Sequence, residues 1–139
     1  MRKTRFTVAD LMTERVYSLT PEDSLRSLQE LMWEHDIRHV PIVDRAGDLL
    51  GVVSQRDLAR ATDGTATLPL SSRNDLLRST RVGSVMVEEV ATAEPTDDIR
   101  IAAQTMFDNK YGCLPVVAGR RLVGILTESD FVRLLAEGE

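Results

Sequence analysis

A seven-residue phrase stands twice in this chain. Gly51-Val52-Val53-Ser54-Gln55-Arg56-Asp57 returns as Gly124-Ile125-Leu126-Thr127-Glu128-Ser129-Asp130. Upstream, Val40-Pro41-Ile42-Val43 returns as Leu114-Pro115-Val116-Val117, and Leu11-Met12 as Val85-Met86. Met12 and Met86, Pro21 and Pro95, and Pro41 and Pro115 each stand 74 residues apart, whereas Gly51 and Gly124 stand 73 apart. One residue is therefore missing from the turn before the second glycine. Self-similarity of this regularity fixes the architecture, because each copy must be one supersecondary unit that buries its apolar face against another. Two such units are expected to pack about a pseudo-two-fold axis and to leave two related clefts between them.

With 139 residues in all, each copy has roughly 60 residues, near the lower limit for an independent core. The two halves are therefore expected to share a core. A hydrophobic fraction of 42% with 28% charged residues places the chain among ordinary globular proteins. The net charge of −5 argues against nonspecific binding to nucleic acid or to an anionic membrane. Cys113 is the single cysteine, which excludes an internal disulfide and fits a reducing compartment. The basic start, Met1 to Arg5, is followed by no apolar stretch. No signal peptide or membrane span is expected, and the expected location is cytoplasmic.

Each copy reads as β-α-β-β-α. Val16 to Leu19 forms a short strand ended by Thr20-Pro21, and a helix follows for which Thr20, Asp23 and Ser24 all offer caps. Its apolar stripe is Leu25, Leu28, Leu31 and Met32, matched in the second copy by Ile99, Ala102 and Met106. Trp33 and Phe107 hold equivalent places, facing either the core or a dimer surface. Two β-rich runs, His39 to Asp44 and Leu49 to Val53, flank a hairpin turn at residues 45–48. Ser54 then opens a helix from Gln55 to about Ala61. Residues 1–64 and 81–139 form the two copies. Residues 65–80 form the linker, within a stretch from Thr62 to Thr80 rich in Thr, Ser, Asp and Gly; a short helical turn around Asn74 to Arg78 fits there, while the polarity argues against a third core element.

Ser/Thr-x-x-Asp after a strand has a structural meaning first. It is a helix capping box, in which the hydroxyl accepts a backbone N–H and the carboxylate reaches back to the cap. Twice over, with a glycine three residues ahead, it invites a second meaning. Glycine weakens a strand unless a turn or the close approach of another group requires it. A helix N-terminus can hold phosphate, and a carboxylate one turn later can accept both hydrogens of a ribose diol. Elsewhere the signals are weaker. His35 and His39 share a metal only if one helix carries both, and Cys113 with His39 lacks a third group to make a nucleophile–base pair. Cys113 reads as a small buried thiol, Arg120-Arg121 as a solvated turn, and Met12, Met32, Met86 and Met106 as core fillers.

Gly-h-h-Ser/Thr-x-x-Asp, preceded by an h-Pro-h-h strand and a helix that starts at a proline, resembles the CBS domain (cystathionine-β-synthase type). The likeness covers residues 8–61 and 82–136. It implies a tandem α/β (α+β) pair that binds an adenosine-containing ligand (AMP, ADP, ATP or S-adenosylmethionine) in the clefts between the copies. By the same likeness Asp57 and Asp130 hold ribose, and Ser54 and Thr127 approach phosphate. Val16, Tyr17, Val90 and Ala91 lie beside the base. Arg38 and His39, with Gly112 and Cys113, occupy the phosphate-facing positions before each strand proline. Neither Gly112 nor Cys113 carries a cation, and Glu128 adds negative charge, so the two sites are expected to differ. The resemblance further implies a homodimer and a regulatory role exerted on an effector protein. No catalytic set is visible and no cofactor is required; the alternative is a ligand-free dimerisation scaffold.

Overall fold

The computed structural model describes residues 5–137; residues 1–4, with most of the basic start, and residues 138–139 lie outside the described residues. In chain order the elements are α1 (Val8–Leu11), α2 (Leu25–His35), β1 (His39–Val43), β2 (Leu49–Ser54), α3 (Gln55–Ala61), α4 (Leu70–Ser79), α5 (Ile99–Asn109), β3 (Cys113–Ala118), β4 (Arg121–Thr127) and α6 (Glu128–Ala136). One compact unit runs from Tyr17 to Glu89; the other joins the residues up to Val16 with those from Val90 onward. Each unit thus holds the body of one copy and the leading segment of the other.

In the Tyr17–Glu89 unit, β1 and β2 pair antiparallel, with Pro41 opposite Val52 and Ile42 opposite Gly51. Asp44 closes the hairpin by accepting the N–H groups of Ala46 and Asp48 at 3.0 and 2.9 Å, a side-chain turn typical of Asp. Helix α2 begins where the Ser24 hydroxyl accepts the Ser27 N–H at 3.1 Å and ends at Asp36, in the left-handed region with φ 51°. Leu25, Leu28 and Met32 point from α2 into a cluster with Val40, Ile42, Val53, Leu58, Leu77 and Val82.

The other unit repeats this plan. Strands β3 and β4 pair antiparallel with Pro115 opposite Ile125, Asp98 caps α5, and Lys110 ends it with φ 57°. Ile99, Ala102 and Met106 join Leu114, Val116, Leu126 and Ala93, and the leading segment contributes Val8 and Leu11. The shared core expected from size is therefore realised differently. Most of the buried apolar residues fall into two clusters, and each draws side chains from both copies of the repeat.

Two further expectations are corrected. The strand placed at Val16–Leu19 shrinks to one parallel bridge, Leu19 with Ile42, and its counterpart to Ala93 with Val116. Leu19 donates to the Pro41 carbonyl at 3.2 Å and accepts from Val43 at 2.9 Å. The next rung would need an N–H on Pro41, and proline has none. Pro115 stops the ladder at Ala93 in the same way. The backbones of Tyr17 and Ala91 are left outside the sheets.

The polar linker is the second correction, because it contains the ten-residue α4. This helix packs on α2, and Leu77 is buried in the core. One leucine facing inward suffices, since burying it contributes about 1.5–3 kcal/mol. Ser71, Ser72, Asp75 and Arg78 cover the exposed side, and they dominate the composition of the segment.

Candidate functional site

The two glycines mark where the chain crosses itself. A Cβ on Gly51 would lie 2.6 Å from the Val87 carbonyl oxygen and 3.2 Å from the Met86 sulfur. Val52 and Val87 exchange both backbone hydrogen bonds at 3.0 Å. A Cβ on Gly124 would meet the Met12 sulfur at 2.6 Å and the Thr13 carbonyl oxygen at 3.2 Å. Ile125 and Thr13 exchange the same pair of bonds, at 3.0 and 2.8 Å. The close approach signalled by glycine is made by a leading segment of the chain itself.

Immediately after each crossing the strand turns into a helix, and the motif residues sit on that corner. At the β2–α3 corner, the Ser54 hydroxyl accepts the Asp57 N–H at 3.1 Å. Asp57 Oδ2 accepts from the Ser54 N–H and hydroxyl at 2.8 and 2.9 Å. This is the reciprocal capping box. Among the described residues Asp57 Oδ1 has no hydrogen-bond partner, and the residue is half-buried. At the β4–α6 corner, Asp130 Oδ2 accepts from the Thr127 N–H and hydroxyl at 2.8 and 3.3 Å. Its Oδ1 is also taken, by the Thr13 hydroxyl at 3.0 Å and Arg133 Nη2 at 3.1 Å. Asp130 is only 2% exposed.

The strand register brings the remaining residues to these corners unevenly. His39 lies opposite Ser54, and Cys113 opposite Thr127. The Arg38 carbonyl accepts the Gln55 N–H at 2.7 Å, so the first free N–H of α3 is satisfied within the chain. The Arg38 side chain is exposed and lines an open cavity of about 540 Å³ with Trp33, Asp36, Gln55 and Leu58; neither Ser54 nor Asp57 lines it. Gly112 is half-buried in the turn before β3. Burial pushes the Cys113 thiol from its ordinary 9.0 up to about 12, so near neutrality it is a neutral thiol and a poor nucleophile.

Of the residues expected beside a base, Tyr17 belongs to the Tyr17–Glu89 unit, and Val16, Val90 and Ala91 to the other. Tyr17 stacks on His35 with ring centroids 3.7 Å apart. Ala91 packs against the core of its own unit, and Val16 and Val90 are half-buried. Sequence reasoning missed Thr13 and Arg133. A signal existed, since Thr13 aligns with Val87 across the repeat, a difference between copies at a crossing point. Trp33 and Phe107, left open between core and surface, are 87% and 78% exposed. No helix among the described residues is long and apolar enough to cross a membrane.

Comparison with known proteins gives one consistent result. The CBS domain family profile matches residues 8–64 and 82–137. A Vibrio cholerae protein provisionally assigned to acetoin utilization (AcuB) superposes with a TM-score of 0.83 at 39% identity, over 95% of this chain and 91% of that one. CBSX2, from Arabidopsis thaliana, in complex with AMP superposes with a TM-score of 0.80 at 29% identity, over 95% and 97% of the two chains. The CBS domain pair of protein MJ0100, in complex with 5′-methylthioadenosine and S-adenosyl-L-methionine, superposes with 0.79 at 26% identity, over 97% and 99%. The chain spans about a quarter of the length of the homoserine O-acetyltransferases it matches; that from Methanococcoides burtonii is 31% identical over 133 residues, 95% of this chain.

Proposed function

The chain belongs to the CBS domain family, and on that premise we propose that it is a regulatory module that senses an adenosine-containing ligand and signals to a partner protein. The observation that carries this reading is the half-used carboxylate of Asp57. Its Oδ2 holds the helix cap, while its Oδ1 keeps an acceptor available for a ribose hydroxyl. Ser54 stands beside it at the corner. The backbone of Tyr17 is kept out of the sheet by Pro41 and offers hydrogen-bonding groups to a purine edge. Arg38, whose backbone carbonyl accepts the Gln55 N–H at the same corner, is the proposed phosphate contact through its guanidinium. The AMP and S-adenosylmethionine complexes of its relatives support an adenosine ligand over other classes.

The module works without chemistry of its own and needs no cofactor. Its match to a quarter of the homoserine O-acetyltransferases fits a sensing part that accompanies a separate activity. We also read it as a homodimer, with a second copy covering the exposed Trp33 on α2 and Phe107 on α5. Titration calorimetry with AMP and with S-adenosylmethionine tests the ligand reading. Asp57→Asn removes a charge-assisted bond of about 1.5–3 kcal/mol, so affinity falls roughly ten- to hundredfold. Unchanged affinity in that variant contradicts the ribose role.

A further inference from the structure

We propose that Thr13 and Arg133 form an internal latch on Asp130, so that the two copies of the motif are functionally unequal and the chain takes one adenosine-type ligand, at Asp57. This rests on the adenosine reading above and goes beyond it by assigning occupancy. The likeness between the copies alone assigns ribose to both carboxylates.

The geometry separates them. All four hydrogen bonds to Asp130 come from the protein: two at Oδ2 from Thr127 and two at Oδ1 from Thr13 and Arg133. Arg133 Nη2 also donates to the Leu11 carbonyl at 3.2 Å. It therefore fastens the carboxylate and the Leu11–Thr13 backbone at one point. A ribose diol would have to displace a hydroxyl and a guanidinium from a carboxylate that is 2% exposed. The bonds given up are charge-assisted, and the diol's own bonds to the carboxylate would be of the same kind, so the exchange gains nothing while unfastening Arg133 from Asp130.

In the first copy the latch parts are missing or idle. Val87 stands 74 residues after Thr13 and has no hydroxyl. Arg60, three residues after Asp57 as Arg133 is after Asp130, makes no bond to Asp57 among the described residues. Thr13 is thus a specificity-determining residue that acts by occupying a site. Its segment also makes the backbone crossing at Gly124, which gives the latch a fixed position.

The test is calorimetric titration of the full chain with AMP and, separately, with S-adenosylmethionine. The wild type is expected to bind one ligand per chain. Asp57→Asn should weaken that event at least tenfold, and Asp130→Asn should leave it within about twofold. Thr13→Val combined with Arg133→Ala should raise the stoichiometry to two, while Thr13→Ser, which keeps the hydroxyl, should stay at one. Two equivalent sites in the wild type, a single site lost with Asp130 rather than Asp57, or an unchanged single site in a folded latch variant would each overturn the proposal. If neither ligand binds any variant, the adenosine reading falls, and thermal melts decide the latch alone. Tm shifts of Thr13→Val and Asp130→Asn that fail to add support it; additive shifts overturn it.

Discussion

Thr13 donates its hydroxyl hydrogen bond to Asp130 at 3.0 Å across 117 positions of sequence, whereas Val87, in the equivalent place, offers Asp57 nothing. The same motif is therefore structural on one corner and half-available on the other. Stability should report the difference. Asp130→Asn turns one acceptor oxygen into a donor among N–H and O–H donors, at a buried position, and should cost about 2–3 kcal/mol. Asp57→Asn disturbs a cap only and should cost about 1 kcal/mol or less. Urea denaturation of the two variants measures both, and equal losses would contradict the distinction.

The glycines should also differ. Gly51→Ala meets a backbone carbonyl at 2.6 Å, whereas Gly124→Ala first meets the end of the flexible Met12 side chain. Strained insertion costs typically 1–3 kcal/mol, so Gly51→Ala should fall in that range and Gly124→Ala below it. Thermal melts that rank them the other way would show that the Val87 crossing is not rigid.

How much of this could be read beforehand depends on whether the signal was local. The helix cap at Ser54, the hairpins and the apolar stripes follow from residues a few places apart, and the repeat doubled each signal; for α2 the sequence offered Thr20, Asp23 and Ser24, of which the fold uses Ser24. The linker helix was hidden because its composition is polar and only Leu77 reaches the core, by packing on a helix some fifty residues upstream in the chain. The first strands were overextended because the prolines opposite them, which end the ladder, act from another strand. The exchange of leading segments, and with it the latch on Asp130, is a tertiary relationship that no local pattern encodes. At the corners, the motif named Ser54, Asp57, Thr127 and Asp130 but could not say which carboxylate the fold had already occupied.

Cys113 should be inert in the native state. With its thiol held at about 12 instead of 9.0, iodoacetamide at pH 8 should alkylate the folded protein far more slowly than the unfolded one. The raised value also sets a pH dependence. Its contribution to stability is fully present below about pH 9 and is lost as pH rises through 9 towards 12, because the unfolded thiol ionises first. A Cys113→Ala variant should lose less stability across that window; identical alkaline profiles would contradict the assignment.

The two exposed aromatics predict assembly. Trp33 and Phe107 are 87% and 78% exposed at matching positions on α2 and α5, and a second copy covering them would remove both rings from water. Light scattering at micromolar concentration should give twice the 15.5 kDa chain mass. Trp33→Glu with Phe107→Glu should return the chain mass while leaving the circular dichroism spectrum unchanged. A wild-type monomer would contradict the dimer.

The central claim is that this fold senses an adenosine-containing ligand through Asp57. Its most direct test is a thermal-shift panel of AMP, ADP, ATP, NAD and S-adenosylmethionine on the wild type and on Asp57→Asn. A ligand at a hundred times its Kd adds about 2.7 kcal/mol by mass action, enough for a rise of several degrees. The predicted result is such a rise in the wild type for at least one adenosine compound, lost or sharply reduced in Asp57→Asn. No rise with any of the five, in a protein that still dimerises, would contradict the account and leave a ligand-free scaffold in its place.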